Sequence, residues 1–492
     1  MSSMRIRATL AVFGFSSVAS AATLQVGPGK TYAMPCDAIA AAAAGDTIQV
    51  DASGSYDGNT CAWTTDNLTI VGVNGRPHID LTGVTPAQQK GIFTIGGTAS
   101  ATIDNLELSG AAISSAAGNN GAGIRHQGLN LTVKNCFIHD NQDGILAAPG
   151  TPNTGTILIE NTEFSSNGAG DGFSHNMYIG DFALFTLQYS WSHLAKVGHL
   201  VKSRAYITQI LENRLTDEMG GTASYEVDVP NAGTAFIIGN LIEQSATTMN
   251  PTIITFGEEG VPTGYDTHLY VINNTVINDL GSGTFVNNAT TTAAALTNDI
   301  FYNGGTVASN AADVLTTSFS MGNPMFVDVA TYDVHLLSGS PCIDKGTDPG
   351  KAGTMSLEPI FEYVQPVSEL PRTVVGKAID IGAYEFGLLA DAGAPGDGGA
   401  PPSDGGGPTL EGGGSDGGGP RIDGGRRVDA GEIGDGGGHP PHDAPNGVGG
   451  ENPASSGGCG CLTAGHPGDA WLVAALCPGL LGLLLLRRRR VE

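Results

Sequence analysis

The sequence predicts an all-β protein built as a right-handed parallel β-helix, a solenoid, on three observations. Ile138, Phe164, Trp191, Leu215, Ile242, Val276 and Ile300 mark one recurring phrase, polar-x-x-apolar-x-polar, at intervals of 26, 27, 24, 27, 34 and 24 residues, and self-similarity at such a period signals stacked repeats. Each copy joins short apolar or β-branched runs, such as those at 131–133, 157–159 and 237–238, to a corner rich in Asn or Gly. Composition agrees, with 74 glycines and only 14% charged residues in 492. One copy is too small to bury its own apolar face, so the copies stack. Stacking sets equivalent residues in columns roughly 4.8 Å apart, and function is therefore sought in columns.

Residues 1–22 have the parts of a secretory signal: Arg5 and Arg7, an apolar run from Ala8 to Phe15, and a small-residue cleavage site at Ala19-Ser20-Ala21. Residues 23–65 are expected to form an N-terminal cap, with a short helix over 38–44 and a first strand over 47–50. Cys36 and Cys61 flank a short loop and are expected to pair in an oxidising compartment, whereas Cys136 and Cys342 are expected to be buried thiols. The β-helix proper is expected over 66–320, its coils running from Leu68 to about Tyr302. Asn135, Asn161, Asn213, Asn240 and Asn274 are its corner residues, either in left-handed turns or in side-chain ladders between coils. Trp191, at an anchor position, is expected in the core. His139, His193 and His268 read equally well as corner histidines bonded to the backbone of the next coil.

Residues 321–387 break the period and are expected to close the solenoid. Residues 388–458 carry eleven acids, three arginines and almost no large apolar side chain, a composition that cannot bury enough surface to fold and reads as a disordered linker. Residues 459–492 hold Cys459 and Cys461, then a 17-residue apolar run from Ala470 to Leu486 and four arginines, Arg487 to Arg490, the pattern of a short transmembrane segment with a basic stop. The chain is expected to act as a monomer held to a membrane through this segment. Its net charge of −26 repels nucleic acid, so a polyanionic partner has to meet a local basic patch or a bridging cation. Neither glycine-rich stretch, 118–123 or 168–172, opens a helix as a phosphate-binding loop does.

The strongest local anomaly is a cationic and histidine-rich stretch in an acidic body: His175, His193, His199, Lys196, Lys202, Arg204 and Arg214. Strand alternation predicts Met177, Ile179, Val201, Ser203, Val227 and Val229 inside, and Tyr178, Lys202, Arg204, Glu226 and Asp228 outside. Side chains from successive coils then line one groove, a bed for a linear polymer. His175, Asp228, Glu226 and Asp217 are its candidate substrate-binding residues. Removal of the C5 proton of a uronic acid followed by β-elimination needs a base, a positive group on the carboxylate and an acid for the leaving oxygen. Lys202, His199 or His193 is the candidate base, Arg204 the carboxylate grip and Tyr178 the acid. Crowded cations are expected to lower the Lys202 pKa toward a working value. No cofactor is assigned from the residues; calcium is the candidate ion, with Asp217, Glu218, Glu226 and Asp228 as oxygen donors.

Several resemblances sharpen these expectations. The phrases at 323–326, 337–344 and 380–386 resemble the terminal domain called choice-of-anchor Q, which implies surface display. Cys459-Gly460-Cys461 before an apolar helix and an arginine cluster resembles the sorting tail of myxobacterial surface proteins, implying processing at the cysteine. Grooved β-helices of this kind are similar to pectate lyases and other enzymes of acidic polysaccharides. Gly198-His199 and Lys202-Ser203-Arg204 echo polygalacturonases without their upstream aspartates. Lys202-Ser203-Arg204 also looks similar to the lysine and arginine region of chondroitinase-B-like lyases, which implies Lys202 as base. The phrases from His175 through Asp228 further resemble a group of secreted bacterial β-helix proteins.

The functional expectation is an exported, surface-attached protein that binds an anionic polysaccharide and cleaves it by β-elimination. Two alternatives stand beside it. One is a non-catalytic surface protein serving adhesion or acting as a spacer, and the other is a glycoside hydrolase or uronate epimerase using the same groove.

Overall fold

Coils of the computed structural model, which describes residues 20–388, each give one strand to each of three parallel sheets of twelve, ten and nine strands. The expected secretory signal at 1–22 lies outside the described residues up to residue 19, as do the expected linker from 389 on and the expected tail with Cys459, Cys461 and the apolar run. No helix among the described residues is long and apolar enough to cross a membrane. The chain is a parallel β-helix, and its core is a set of columns. Ile48, Ile70, Ile103, Val133, Ile159, Leu187, Ile210, Ile237, Val271 and Leu296 pair in register through ten strands of the twelve-stranded sheet. All ten are fully buried. Branched side chains suit this environment because they pack on the pleated surface with little rotamer freedom to lose.

The anchor column of the nine-stranded sheet runs Ile138, Phe164, Ser192, Leu215, Ile242, Val276 and Phe301. Trp191 and Ile300 are therefore one residue out of phase with the repeat read from the sequence. Trp191 is not in the core; it lies half-buried on the outer face, stacked on His193 with ring centroids 3.9 Å apart and under the Arg214 guanidinium at 5.2 Å. A serine takes the inside position because polar groups meet there: Ser192 Oγ donates to the Leu200 carbonyl at 2.9 Å and accepts from Asn176 Nδ2 at 3.0 Å.

Corners use asparagine in both of the ways open to it. Asn135 and Asn161 adopt positive φ of 53° and 46°, which Asn tolerates better than most residues. Asn213, Asn240 and Asn274 instead form a buried ladder ending on Asp299, in which the amide oxygens of Asn240 and Asn274 and Oδ1 of Asp299 each take the backbone N–H and side-chain Nδ2 of the preceding rung at 2.8–3.0 Å.

At the N-terminal end, the helix Pro35–Ala41 starts three residues earlier than the sequence suggests, with proline in its first turn, a position where the missing N–H costs nothing. The Cys36–Cys61 disulfide, Cα atoms 5.7 Å apart, ties this helix to the first strand of the ten-stranded sheet. Cys136 and Cys342 are free and buried, and burial raises their thiols to about 12 and about 11. Coils continue past Tyr302 to the strand Val314–Thr316. The segment after it forms three antiparallel hairpins, yet it does not cover that last strand, whose Val314 and Leu315 are exposed. It turns back along the flank, packing Ala383 and Tyr384 on Leu241 and Ile277, and Leu357 on Phe236, Ile238 and Ile272. Asn161 Nδ2 donates to Glu369 at 2.8 Å and the Ile360 N–H to Glu212 at 3.2 Å.

Candidate functional site on the ten-stranded sheet

The outer face of the ten-stranded sheet carries an in-register column: Arg125, Leu146, Tyr178, Lys202, Asp228, Thr255 and Asn287. Met177, Ile179, Val201, Ser203, Val227 and Val229 beside it are fully buried, so alternation delivers Tyr178, Lys202 and Asp228 to one side on three consecutive strands. Lys202 Nζ donates to Asp228 Oδ2 at 2.7 Å and to Glu259 Oε1 at 3.2 Å. Arg204, just past the end of its strand, donates from Nη2 to Glu259 Oε2 at 2.6 Å, from Nε to the Tyr178 hydroxyl at 2.7 Å, and from Nη1 to Asn231. Both cations also lie over the Tyr178 ring, at 5.9 and 5.6 Å, a favourable placement against the π face.

His199 completes the cluster. Its Nδ1 lies 3.0 Å from Asp228 Oδ2, although poorly aligned for a hydrogen bond. Its backbone N–H donates to His175 Nδ1 at 3.0 Å, and the two imidazoles are 4.4 Å apart. Burial pushes the His199 imidazolium down, only partly opposed by Asp228; burial and then the neighbouring His199, Lys202 and Arg204 hold His175 far below the usual histidine range. Both rings are thus neutral at neutral pH.

Lys202 departs from expectation. Burial works to lower its pKa, but the carboxylates of Asp228 and Glu259 outweigh it and the net direction is up. Crowding by cations does not set its value, because each cation has a carboxylate against it. Asp228 mirrors this: burial would raise it, while His199 and Lys202 bring it below the ordinary aspartate. Lys202 is consequently held between two carboxylates, which favour its ammonium form.

Three candidates fall elsewhere. Glu226 does not face the groove; it is fully buried, both carboxylate oxygens lack a hydrogen-bond partner, and burial followed by Asp217 and Glu243 pushes its pKa far up. Glu226 and Val227 are both fully buried, as are Leu200 and Val201 on the neighbouring strand, so strict alternation fails at Glu226. Asp217 is fully buried in the same interior, its Oδ2 accepting from the Ala223 N–H at 2.8 Å. With Glu218 paired to Arg214 at 3.2 Å, the four proposed calcium donors do not converge. His193 lies on the nine-stranded sheet, its Nε2 3.1 Å from Glu163 Oε1. Like His139, it meets a carboxylate and not the backbone of the next coil.

The sequence reading missed Glu259 and Asn231 as members. Glu259 belongs to a turn that follows the strand Thr252–Phe256 and folds back: its N–H donates to the Pro230 carbonyl at 3.0 Å, and Asn231 Nδ2 donates to the Gly260 carbonyl at 3.0 Å. A pair of acids immediately after a strand, in the coil next to Asp228, was the available signal. With this turn in place the two cations face two carboxylates, and Lys202 and Asp228 are only 3% and 1% exposed.

The chain matches no protein-family model and no curated protein sequence. Among solved structures it is similar to pectate lyase Pel9A, with a TM-score of 0.40 and 14% identity over 75% of this chain and 98% of that one. It is also similar to pectin methylesterase PemA from Erwinia chrysanthemi and to a pectin methylesterase in complex with hexasaccharide VII, each with a TM-score of 0.31 and 16% identity over 47% of this chain and 81% of the other.

Proposed function

We propose that the chain is an exported β-helix protein that binds an acidic polysaccharide across the outer face of the ten-stranded sheet and cleaves it by β-elimination. The observation that carries this reading is the Glu259 carboxylate bridging Lys202 Nζ and Arg204 Nη2 at 3.2 and 2.6 Å. It stands where a two-point clamp would grip a uronate carboxylate, on a turn whose residues Glu258, Glu259 and Gly260 are exposed. Substrate enters by replacing Glu259. Lys202 and Arg204 then neutralise the sugar carboxylate and so acidify the C5 proton. Neutral His199, whose Nδ1 lies 3.0 Å from Asp228 Oδ2, is the base. The C5–H electron pair becomes the C4–C5 double bond, the C4–O bond breaks, and Tyr178 donates its proton to the leaving oxygen. The Cys36–Cys61 disulfide supports export to an oxidising compartment. Hydrolysis has less support, since it calls for two carboxyl groups flanking the scissile bond, and both carboxylates here are engaged by Lys202.

The test is incubation of the full chain with pectate, alginate and glycosaminoglycans while following the ultraviolet absorbance of the unsaturated product. His199→Gln is expected to abolish the chromophore and leave binding intact; Glu259→Ala is expected to tighten binding severalfold. If no acidic polymer binds either wild type or Glu259→Ala, the reading fails. Near-complete coverage of His199 and Lys202 favours a second reading, glycan binding without cleavage. Binding with no chromophore from any polymer selects it.

A further inference from the structure

A second cluster of chemistry-bearing side chains lies on the nine-stranded sheet, on coils that precede the Lys202 site. His78 and Glu107 pair in register on adjacent strands, and His139 follows on the next, two residues along from Phe137, which pairs with Glu107. Glu107 Oε1 is 3.2 Å from His139 Nε2 and 3.7 Å from His78 Nε2, and the three donor atoms all lie within 4.8 Å of one another. Two ligands at the usual 2.0–2.1 Å from a tetrahedral zinc are about 3.3 Å apart, a separation these two contacts bracket.

The surroundings arrange the ligands as a metal would need them. His139 Nδ1 is 2.9 Å from Asp140 Oδ2, and Asp140 Oδ1 accepts from Lys196 Nζ at 3.0 Å. That leaves Nε2 of His139 for the cluster, in the carboxylate–histidine–metal order that fixes tautomer and ring orientation. Phe137 stacks on the same ring at 4.1 Å. His78 Nε2 is shared with Ser109 Oγ at 2.8 Å, and Ser109 has a second partner in Asp80 Oδ1 at 3.2 Å, so the hydroxyl keeps a bond when the imidazole turns away. The His78 side chain is 41% exposed and Glu107 28%, which leaves a coordination position open to water.

We propose that His78, Glu107 and His139 bind a borderline transition-metal dication of the zinc class, with Asp140 as the positioning residue for His139. Two imidazoles and one carboxylate suit zinc, copper or nickel; calcium and magnesium prefer all-oxygen shells. The site is independent of the Lys202 network and survives the failure of any reading of it.

The experiment is titration of the full chain with Zn²⁺ by calorimetry, and with Co²⁺ by visible absorption, in wild type, His139→Ala, His78→Ala and Asp140→Asn. Every protein keeps the histidines and cysteines of the C-terminal region, so the readout is the difference from wild type. Loss of one equivalent of metal, together with loss of a cobalt band of low coordination number, in both histidine variants is the expected result. Asp140→Asn is expected to keep the stoichiometry and weaken affinity by roughly 10- to 100-fold. Unchanged stoichiometry and spectrum in His139→Ala and His78→Ala overturns the proposal. Circular dichroism of the exposed-site variant His78→Ala separates metal loss from unfolding, and metal loss only with unfolding also counts against it.

Discussion

At the scale of single residues, the candidate site turns on which charges are paired. That Tyr178, Lys202 and Asp228 share a column was legible, because the phrases around them alternate and their coils are consecutive. The protonation of Lys202 was not, since it depends on Glu259, a contact 57 residues away made by a turn that no periodicity describes. The same limit applied to Glu226, which is buried next to the buried Val227, so that alternation fails there. Its interior position has a measurable effect. Burial raises Asp217 to about 7 and Glu243 to about 8, and Glu226 well above the usual range. Carboxyls with a raised folded pKa hold protons that the unfolded chain has already released, so this group of residues loses stability as pH rises from near 4 to near 8. Thermal unfolding followed across that range is expected to show Glu226→Gln matching wild type at the acid end and melting several degrees higher at the alkaline end, at roughly 2–4 °C per kcal/mol. Equal shifts at both ends would refute the assignment.

At the scale of the element, the apolar columns were readable because β-branched runs repeat, and the ladder positions because Asn recurs at corners. The phase of the nine-stranded sheet was not: Ser192 in place of a large apolar residue, and Trp191 displaced outward onto His193 and Arg214, defeat a rule that places the largest side chain inside. The ladder itself is expected to be costly to break. Asn240 takes two hydrogen bonds on its oxygen and gives its amide hydrogens to the Ile210 and Ile238 carbonyls and to Asn274. Asn240→Ala leaves several buried groups unpaired at about 1–3 kcal/mol each. Chemical denaturation is expected to show a loss of at least about 2 kcal/mol.

At the scale of the molecule, the fold class and the disulfide pairing were both legible. The course of residues after 321 was not, because nothing in a period-breaking segment says which surface it lies on. Cys36→Ser with Cys61→Ser is expected to lower stability by about 2–4 kcal/mol, measured by thermal melting, with the first strands losing amide protection first. The returning C-terminal segment has a larger effect. Solenoids ordinarily lose their repeats one at a time, since each touches only its neighbours. Here a single stretch of chain reaches Asn161, Glu212, Asn240-flanking Leu241, and Asn273, so coils spread over more than a hundred residues are laced into one cooperative block. Hydrogen exchange should then reveal two zones in one continuous helix, a strapped half that opens together and an unstrapped N-terminal half that frays turn by turn.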